Sequence, residues 1–312
     1  MGQACRDMAV SFKIATARPW FDAGMKTPDI DAAAGFLAAS GRILDRRRYE
    51  RLFAGEGACP VRDAVAAYRN DDGGFGHGLE PDGRAPGSQP AAVELALRIL
   101  HEADAWDEEL AAGACDWLER TAPAEGGATF VAPSISGWPH APWWQPEEGL
   151  PASLISTGRI AGTLHARGVQ HPWLTKATEL LWSRVERLGP VGPYDLLGVL
   201  SFLEHVPDRA QAEAAFEQVG QRLLQPDLIA LDPDAPGEVH GPLDYAPLPE
   251  SLARRLFDQE TITAHLDHLA GAQHQDGGWM FNWPVWSPLA ELDWRGSVTV
   301  DALRVLRANG RC

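Results

Sequence analysis

The stretch Gln273-His274-Gln275-Asp276-Gly277-Gly278-Trp279, set beside Asn70-Asp71-Asp72-Gly73-Gly74-Phe75-Gly76, decides how this chain is organised. Both run polar residues, Asp, Gly, Gly, aromatic, and their aspartates lie 204 residues apart, four periods of about 51. Gly126-Gly127 follows the first copy at a spacing of 53 residues. Weaker turn clusters continue the series at Gly189-Pro190-Val191-Gly192 and Pro233-Asp234-Ala235-Pro236-Gly237. A period near 50 predicts a repeat architecture.

Each turn leads through a polar, aromatic loop into a helical segment. Ser88–His101 reads as a helix with Ser88 as N-cap and Pro90 in the first turn. Ala152–Arg167, Tyr194–Val206 and Ser297–Ala308 follow in the later repeats, apolar over much of their circumference, which predicts burial on two sides. Between them run amphipathic segments with one solvated face: Asp107–Glu119, Pro172–Leu188, Asp208–Leu224 and Gln259–Gln273. Strand-like alternation is scarce. Alternating buried and amphipathic helices predict an all-α fold, an α/α toroid with inner and outer rings of about five to six helical pairs. Residues 1–29 read as an N-terminal extension and 30–312 as one domain, closed by a helix over Ile30–Arg46.

Composition narrows the class. The chain has 312 residues, 45% of them apolar and 22% charged, which is ordinary for a globular protein. Gly 31 and Pro 24 together make about 18% of the chain, and Trp occurs 12 times, so many turns and many large flat side chains need a place. The balance of 27 basic and 43 acidic residues, net −16, argues against nucleic acid and against an anionic membrane surface. No stretch has the length and apolarity of a membrane span. Cys5, Cys59, Cys115 and Cys312 form no CxxC, so neither a structural zinc nor a disulfide framework is expected. The N-terminus has no apolar leader segment, and Arg6 stands where a myristoylation motif wants Ser or Thr. A cytoplasmic protein is the expectation.

The glycine-aromatic turns resemble the QW-type repeats of the terpenoid cyclase and protein prenyltransferase superfamily, the first copy being similar to the QxxDGGFG form. The likeness spans roughly residues 30 to 310 and implies the squalene-cyclase-like toroid. It does not carry that family's chemistry over. No DxDD acid motif exists here, the nearest being Glu80-Pro81-Asp82 and Asp232-Pro233-Asp234. Asp71-Asp72 lacks the third Asp of DDxxD, and no Cys matches the prenyltransferase zinc site.

With every repeat running in one direction, the loops before the inner helices converge on one rim. The first contributes His77, Glu80, Asp82 and Arg84; the second Trp138, His140, Trp143, Trp144, Glu147 and Glu148. The fourth contributes Asp232, Asp234, Glu238, His240, Asp244 and Tyr245; the fifth Phe281, Trp283, Trp286, Glu291, Asp293, Trp294 and Arg295. An acid in an aromatic cavity acquires a raised pKa and can protonate an alkene or a leaving group, and aromatic faces stabilise the resulting cation. On this reading Asp82 is the acid, Glu80 its partner, and His77, His140 or Asp293 a relay or base. Trp138, Trp143, Trp144, Trp283, Trp286 and Trp294 bind the substrate with Arg84 and Arg295.

The expected substrate is a small apolar molecule, an isoprenoid or one similarly apolar, cyclised or isomerised without a required cofactor. Mg²⁺ enters only for a diphosphate, because the rim cations are few: Arg84, Arg295 and, inside the next helix, Arg159. Carbohydrate hydrolysis or lyase chemistry by a carboxylate pair flanked by Trp is the alternative, and a non-catalytic binding toroid the third. Plainer readings stand beside these. Glu80 and Asp82 also suit helix capping, Asp293-Trp294-Arg295 an internal ion pair, and Trp143-Trp144 rim packing.

Overall fold

The structure, a computed structural model, describes residues 26–312; the N-terminal extension up to residue 25, with Cys5, lies outside them. The described chain is all-helical. Twelve α-helices occur among these residues: α1 Ile30–Ser40, α2 Ile43–Phe53, α3 Cys59–Ala66, α4 Pro90–Glu102, α5 Glu108–Thr121, α6 Leu154–Ala166, α7 Pro172–Glu186, α8 Pro193–His205, α9 Arg209–Leu223, α10 Pro242–Tyr245, α11 Gln259–Gly271 and α12 Pro288–Ala308. Two isolated β-bridges, Arg69 with Phe75 and Gly83 with His140, are the extended pairings among the described residues.

Caps set many of the starts. Asp107 accepts from the N–H groups of Glu109 and Leu110 at 3.0 Å, and Asp258 from that of Thr261 at 2.7 Å. Each such cap is worth about 1 kcal/mol. Pro occupies the first turn of α3, α4, α7, α8, α10 and α12, where its missing N–H costs nothing.

Three expectations are corrected. The helix expected over Ile30–Arg46 is two, broken at Gly41, whose extended backbone ends α1 with its N–H on the Leu37 carbonyl. Ser88 does not cap α4: Gln89 holds that place, and the Ser88 hydroxyl donates to Asp72 at 2.7 Å. Helix α12 begins at Pro288 rather than Ser297, with Ser287 as N-cap. Asp293, Trp294 and Arg295 therefore sit on a rigid helix, not on a loop.

Helix contacts run in two series. In the first, α4 packs on α6, α6 on α8, α8 on α10, and α12 on α2. In the second, α3 and α5 lie against α4, α7 against α6, α9 against α8, α11 against α10 and α12, and α1 against α12 and α2. The closest approach is α6 on α8. A Cβ on Gly158 would stand 2.2 Å from the Gly198 carbonyl oxygen, and one on Gly198 2.2 Å from that of Leu154. Only hydrogen fits there. A large apolar cluster joins α3 through α9, and a second, around Trp279, ties α1, α11 and α12.

Candidate functional site

Asp82 lies in the loop between the first glycine-aromatic turn and α4, and only 6% of it is exposed. Its carboxyl gathers three indoles from two distant parts of the chain. Oδ1 accepts the Nε1–H of Trp294 at 2.8 Å and of Trp286 at 3.1 Å, and Oδ2 accepts that of Trp143 at 3.0 Å. The main chain fixes the group as well. Ala141 N–H donates to the Asp82 carbonyl at 2.7 Å, and Arg84 N–H to that of Pro139 at 2.9 Å. The Asp82 loop is thus stitched to the Trp143 loop while α12 and the segment before it supply the other two indoles.

The lone pairs define what this carboxyl can do. Oδ1 has both occupied by indole N–H groups; Oδ2 has one, leaving a single position for a proton or a substrate. The indoles are neutral, so they orient the carboxyl without supplying a positive charge. Burial pushes Asp82 above the usual aspartate range, against the lowering pull of the three indoles and of Arg84. Glu80 accepts the Asp82 N–H at 2.8 Å. It is raised well above its ordinary value, first by burial, then by the charge of Asp82. Two neighbouring carboxyls thus both lie above their ordinary values, the pattern of a candidate acid.

Arg84 donates through Nη1 to Asp293 at 2.7 Å, an ion pair with both side chains largely covered. Asp293 and Asp82 therefore lie on the same side of the molecule, joined through Arg84 and adjacent Trp294. Behind them stands an aromatic wall. Trp283 stacks on Phe281 with ring centres 4.5 Å apart and meets Trp294 edge-on at 5.0 Å.

The remaining candidates fall elsewhere. Trp144, 2% exposed, is core, packed with Ala85, Val131 and Ile135 under the loop. Trp138 is 48% exposed and makes no contact with the acid. His140 turns Nδ1 to the Trp138 carbonyl, with the Gly83 bridge beside it. His77 is exposed, at φ 56°, with Nε2 on Asn70 Oδ1. Arg295 pairs with Asp276 at 2.8 Å and covers the Phe36 ring, so it braces the second glycine-aromatic turn.

Sequence reasoning missed a belt of charges on otherwise apolar helices. Glu94, Arg98 and Glu102 recur at four-residue spacing along α4 and keep some exposure on a largely buried helix; so do Arg159 on α6, Leu197 and Ser201 on α8, and Trp294, Val298 and Asp301 on α12. Some of their contacts cross between helices and others stay within one. Arg98 bonds Glu94 at 3.0 Å, Arg304 meets Glu102 at 2.8 Å, Arg48 meets Asp301 at 2.6 Å, and Arg42 meets Asp45 at 2.8 Å. These pairs tie α2, α4 and α12 together through charged side chains, and Arg159 of α6 reaches toward Glu94 at 3.9 Å. The signal was available in the i, i+4, i+8 spacing of Glu94, Arg98 and Glu102. Among the described residues no three His, Cys, Asp or Glu side chains come together as a metal site, and no helix is long and apolar enough to cross a membrane.

A scan against protein-family models finds no match, and a search of curated proteins finds no relative. Among solved structures, a protein from Actinoplanes is similar over 90% of this chain and 89% of its own, with a TM-score of 0.52 and 16% identity. At that identity the likeness concerns the fold alone.

Proposed function

We propose that this chain is an α/α toroid of terpenoid-cyclase-like architecture whose inner wall is α2, α4, α6, α8, α10 and α12, and that it is an enzyme using Asp82 as general acid at the mouth of the recess they enclose. The observation that carries the reading is the buried Asp82 carboxyl, held by three indole N–H groups and left with one open lone pair. Glu80 is its neighbour, with a pKa raised by burial, and Asp293 holds Arg84 in place. The three indoles fix the direction in which the proton is delivered, a positioning effect that saves activation free energy.

The substrate we propose is polar and hydroxylated, carbohydrate-like rather than isoprenoid. What supports this is the charge carried by the proposed inner helices, Glu94 and Arg98 of α4, Arg159 of α6 and Asp301 of α12, a wall suited to hydrogen-bonding groups and costly for a polyene. The indoles beside Asp82 offer flat faces on which a sugar ring packs. The cyclase reading keeps one specific support, the Phe281–Trp283–Trp294 wall, whose faces would stabilise a carbocation.

A product screen by mass spectrometry tests both readings. Purified protein meets oligosaccharides, squalene and prenyl diphosphates, with and without Mg²⁺, beside Asp82→Asn. Cleaved or rearranged sugar absent from the variant supports the proposal. A cyclised prenyl product that needs Asp82 transfers the acid to the cyclase reading. Turnover that survives Asp82→Asn overturns the role of Asp82 in either.

A further inference from the structure

We propose that Arg159 is the anchor for an anionic group, a carboxylate or a phosphate, on the molecule that occupies the recess. The proposal rests on the reading that the recess below Asp82 is where substrate sits, and adds that this substrate carries a negative charge away from its reacting end.

Arg159 stands in the middle of α6, where residues 156–164 are otherwise buried. Its side chain is 29% exposed and reaches toward Glu94 of α4, and the charges it feels are those of Glu94, Arg98 and Glu102 of α4 and of Tyr194 of α8. The four other arginines of the belt each hold a carboxylate at 3.0 Å or less. Arg159 does not. It makes no hydrogen bond among the described residues, and its one ion pair, with Glu94, is 3.9 Å long. Glu94 is already taken by Arg98 at 3.0 Å. One guanidinium is therefore left over in the interior of a chain whose net charge is −16.

A second observation lies beside it. His240, whose titration feels Arg159, has a buried Nδ1 with no partner among the described residues. Asp244, also near, has one oxygen on the Gly241 N–H at 2.7 Å, and burial moves its carboxyl toward the protonated form. Burial thus weakens the repulsion that the Asp244 carboxyl offers an incoming anion. Desolvation already pulls Arg159 below its ordinary pKa, the mark of a cation without sufficient compensation. A planar fork with several free N–H groups in a partly dry recess matches a carboxylate or phosphate bidentately.

The test is binding to the intact protein, read by calorimetry and by thermal shift at constant ionic strength. Inorganic phosphate and glucuronate are the two probes, one for each source of the anion. The proteins are wild type, Arg159→Gln, Arg159→Lys and Asp82→Asn. We expect saturable binding of at least one probe to wild type, loss of at least tenfold in affinity in Arg159→Gln, partial retention in Arg159→Lys and unchanged affinity in Asp82→Asn. Without probe, Arg159→Gln should melt no lower than wild type, because it removes an undercompensated charge. Equal binding to wild type and Arg159→Gln, or no binding of either probe to wild type, overturns the proposal. So does a probe-free Arg159→Gln that melts well below wild type, which would make the residue a structural partner of Glu94. Because Asp82→Asn must still bind, failure of the acid chemistry and failure of the anion site are read separately.

Discussion

The two glycine-aromatic turns are built alike and used differently. In each, the Asp carboxylate accepts the N–H two residues on: Asp72 from Gly74 at 2.9 Å, Asp276 from Gly278 at 3.1 Å. In each, the middle glycine has φ near 90° and donates to a carbonyl three residues back, and the aromatic that follows is buried. The loops leaving them diverge. The first carries the buried carboxyl of Asp82, the proposed acid. The segment after the second carries Trp286, and the helix it enters carries Trp294, both donors to that acid. The repeat supplies a frame, and the chemistry is divided between loops that the frame brings together. Even the partners of the turn aspartates differ, Ser88 for the first and Arg295 for the second.

The largest effects should come from the glycines. A Cβ at Gly277 would stand 2.0 Å from the Ala32 carbonyl oxygen, and one at Gly73 2.5 Å from that of Gly113. At Gly126, the corresponding glycine of the Gly126-Gly127 turn, the nearest atom is 3.5 Å away. Substitution by Ala should cost about 3 kcal/mol or more at Gly277 and somewhat less at Gly73. At Gly126 it should cost about 1 kcal/mol, the backbone term alone. Urea unfolding gives the order directly. Equal losses at all three sites would contradict the different packing of the three turns.

Next come the indoles. Trp286→Phe and Trp294→Phe each remove one donor to a buried carboxyl and should cost about 1.5–3 kcal/mol. Trp143, 39% exposed, should cost less. Each replacement should also move the Asp82 pKa further up, since a donor that favours the ionised form is lost. Ser88→Ala should cost about 1 kcal/mol through its bond to Asp72. Arg295→Gln should cost up to about 1 kcal/mol through an ion pair whose carboxylate is half exposed.

The smallest effect is a pH dependence. The fold favours protonated Glu80, so its contribution to stability is present at acid pH and lost as pH rises through its elevated pKa. Glu80→Gln, neutral throughout, should therefore gain on wild type as pH goes from acid to neutral. A gain in the opposite direction would mean that Glu80 is held ionised.

The turns and the loop that carries Asp82 were legible because both are local. Asp-Gly-Gly-aromatic states its own geometry, and Asp82 stands in the loop that follows. The helical class was legible from periodicity. The start of α12 was not: Ser287-Pro288 is an N-cap and first turn whose loop-like composition hid it. Nor could Trp143 be told from Trp144, since adjacent residues point apart and only the packing shows which reaches the carboxyl. The charge belt was missed for a third reason. Glu94 and Arg98 share a helix, but the partners that make an interior of Glu102 and Asp301 come from α2 and α12.

The most direct test of the central claim is the titration of Asp82 itself, by carboxyl-carbon NMR, with the indole N–H signals of Trp286 and Trp294 followed in parallel. An acid poised for proton delivery should titrate above the ordinary aspartate value, with both indole signals moving at the same midpoint. A midpoint at or below the ordinary value would make Asp82 a permanently ionised anchor for three tryptophans, and would contradict the account.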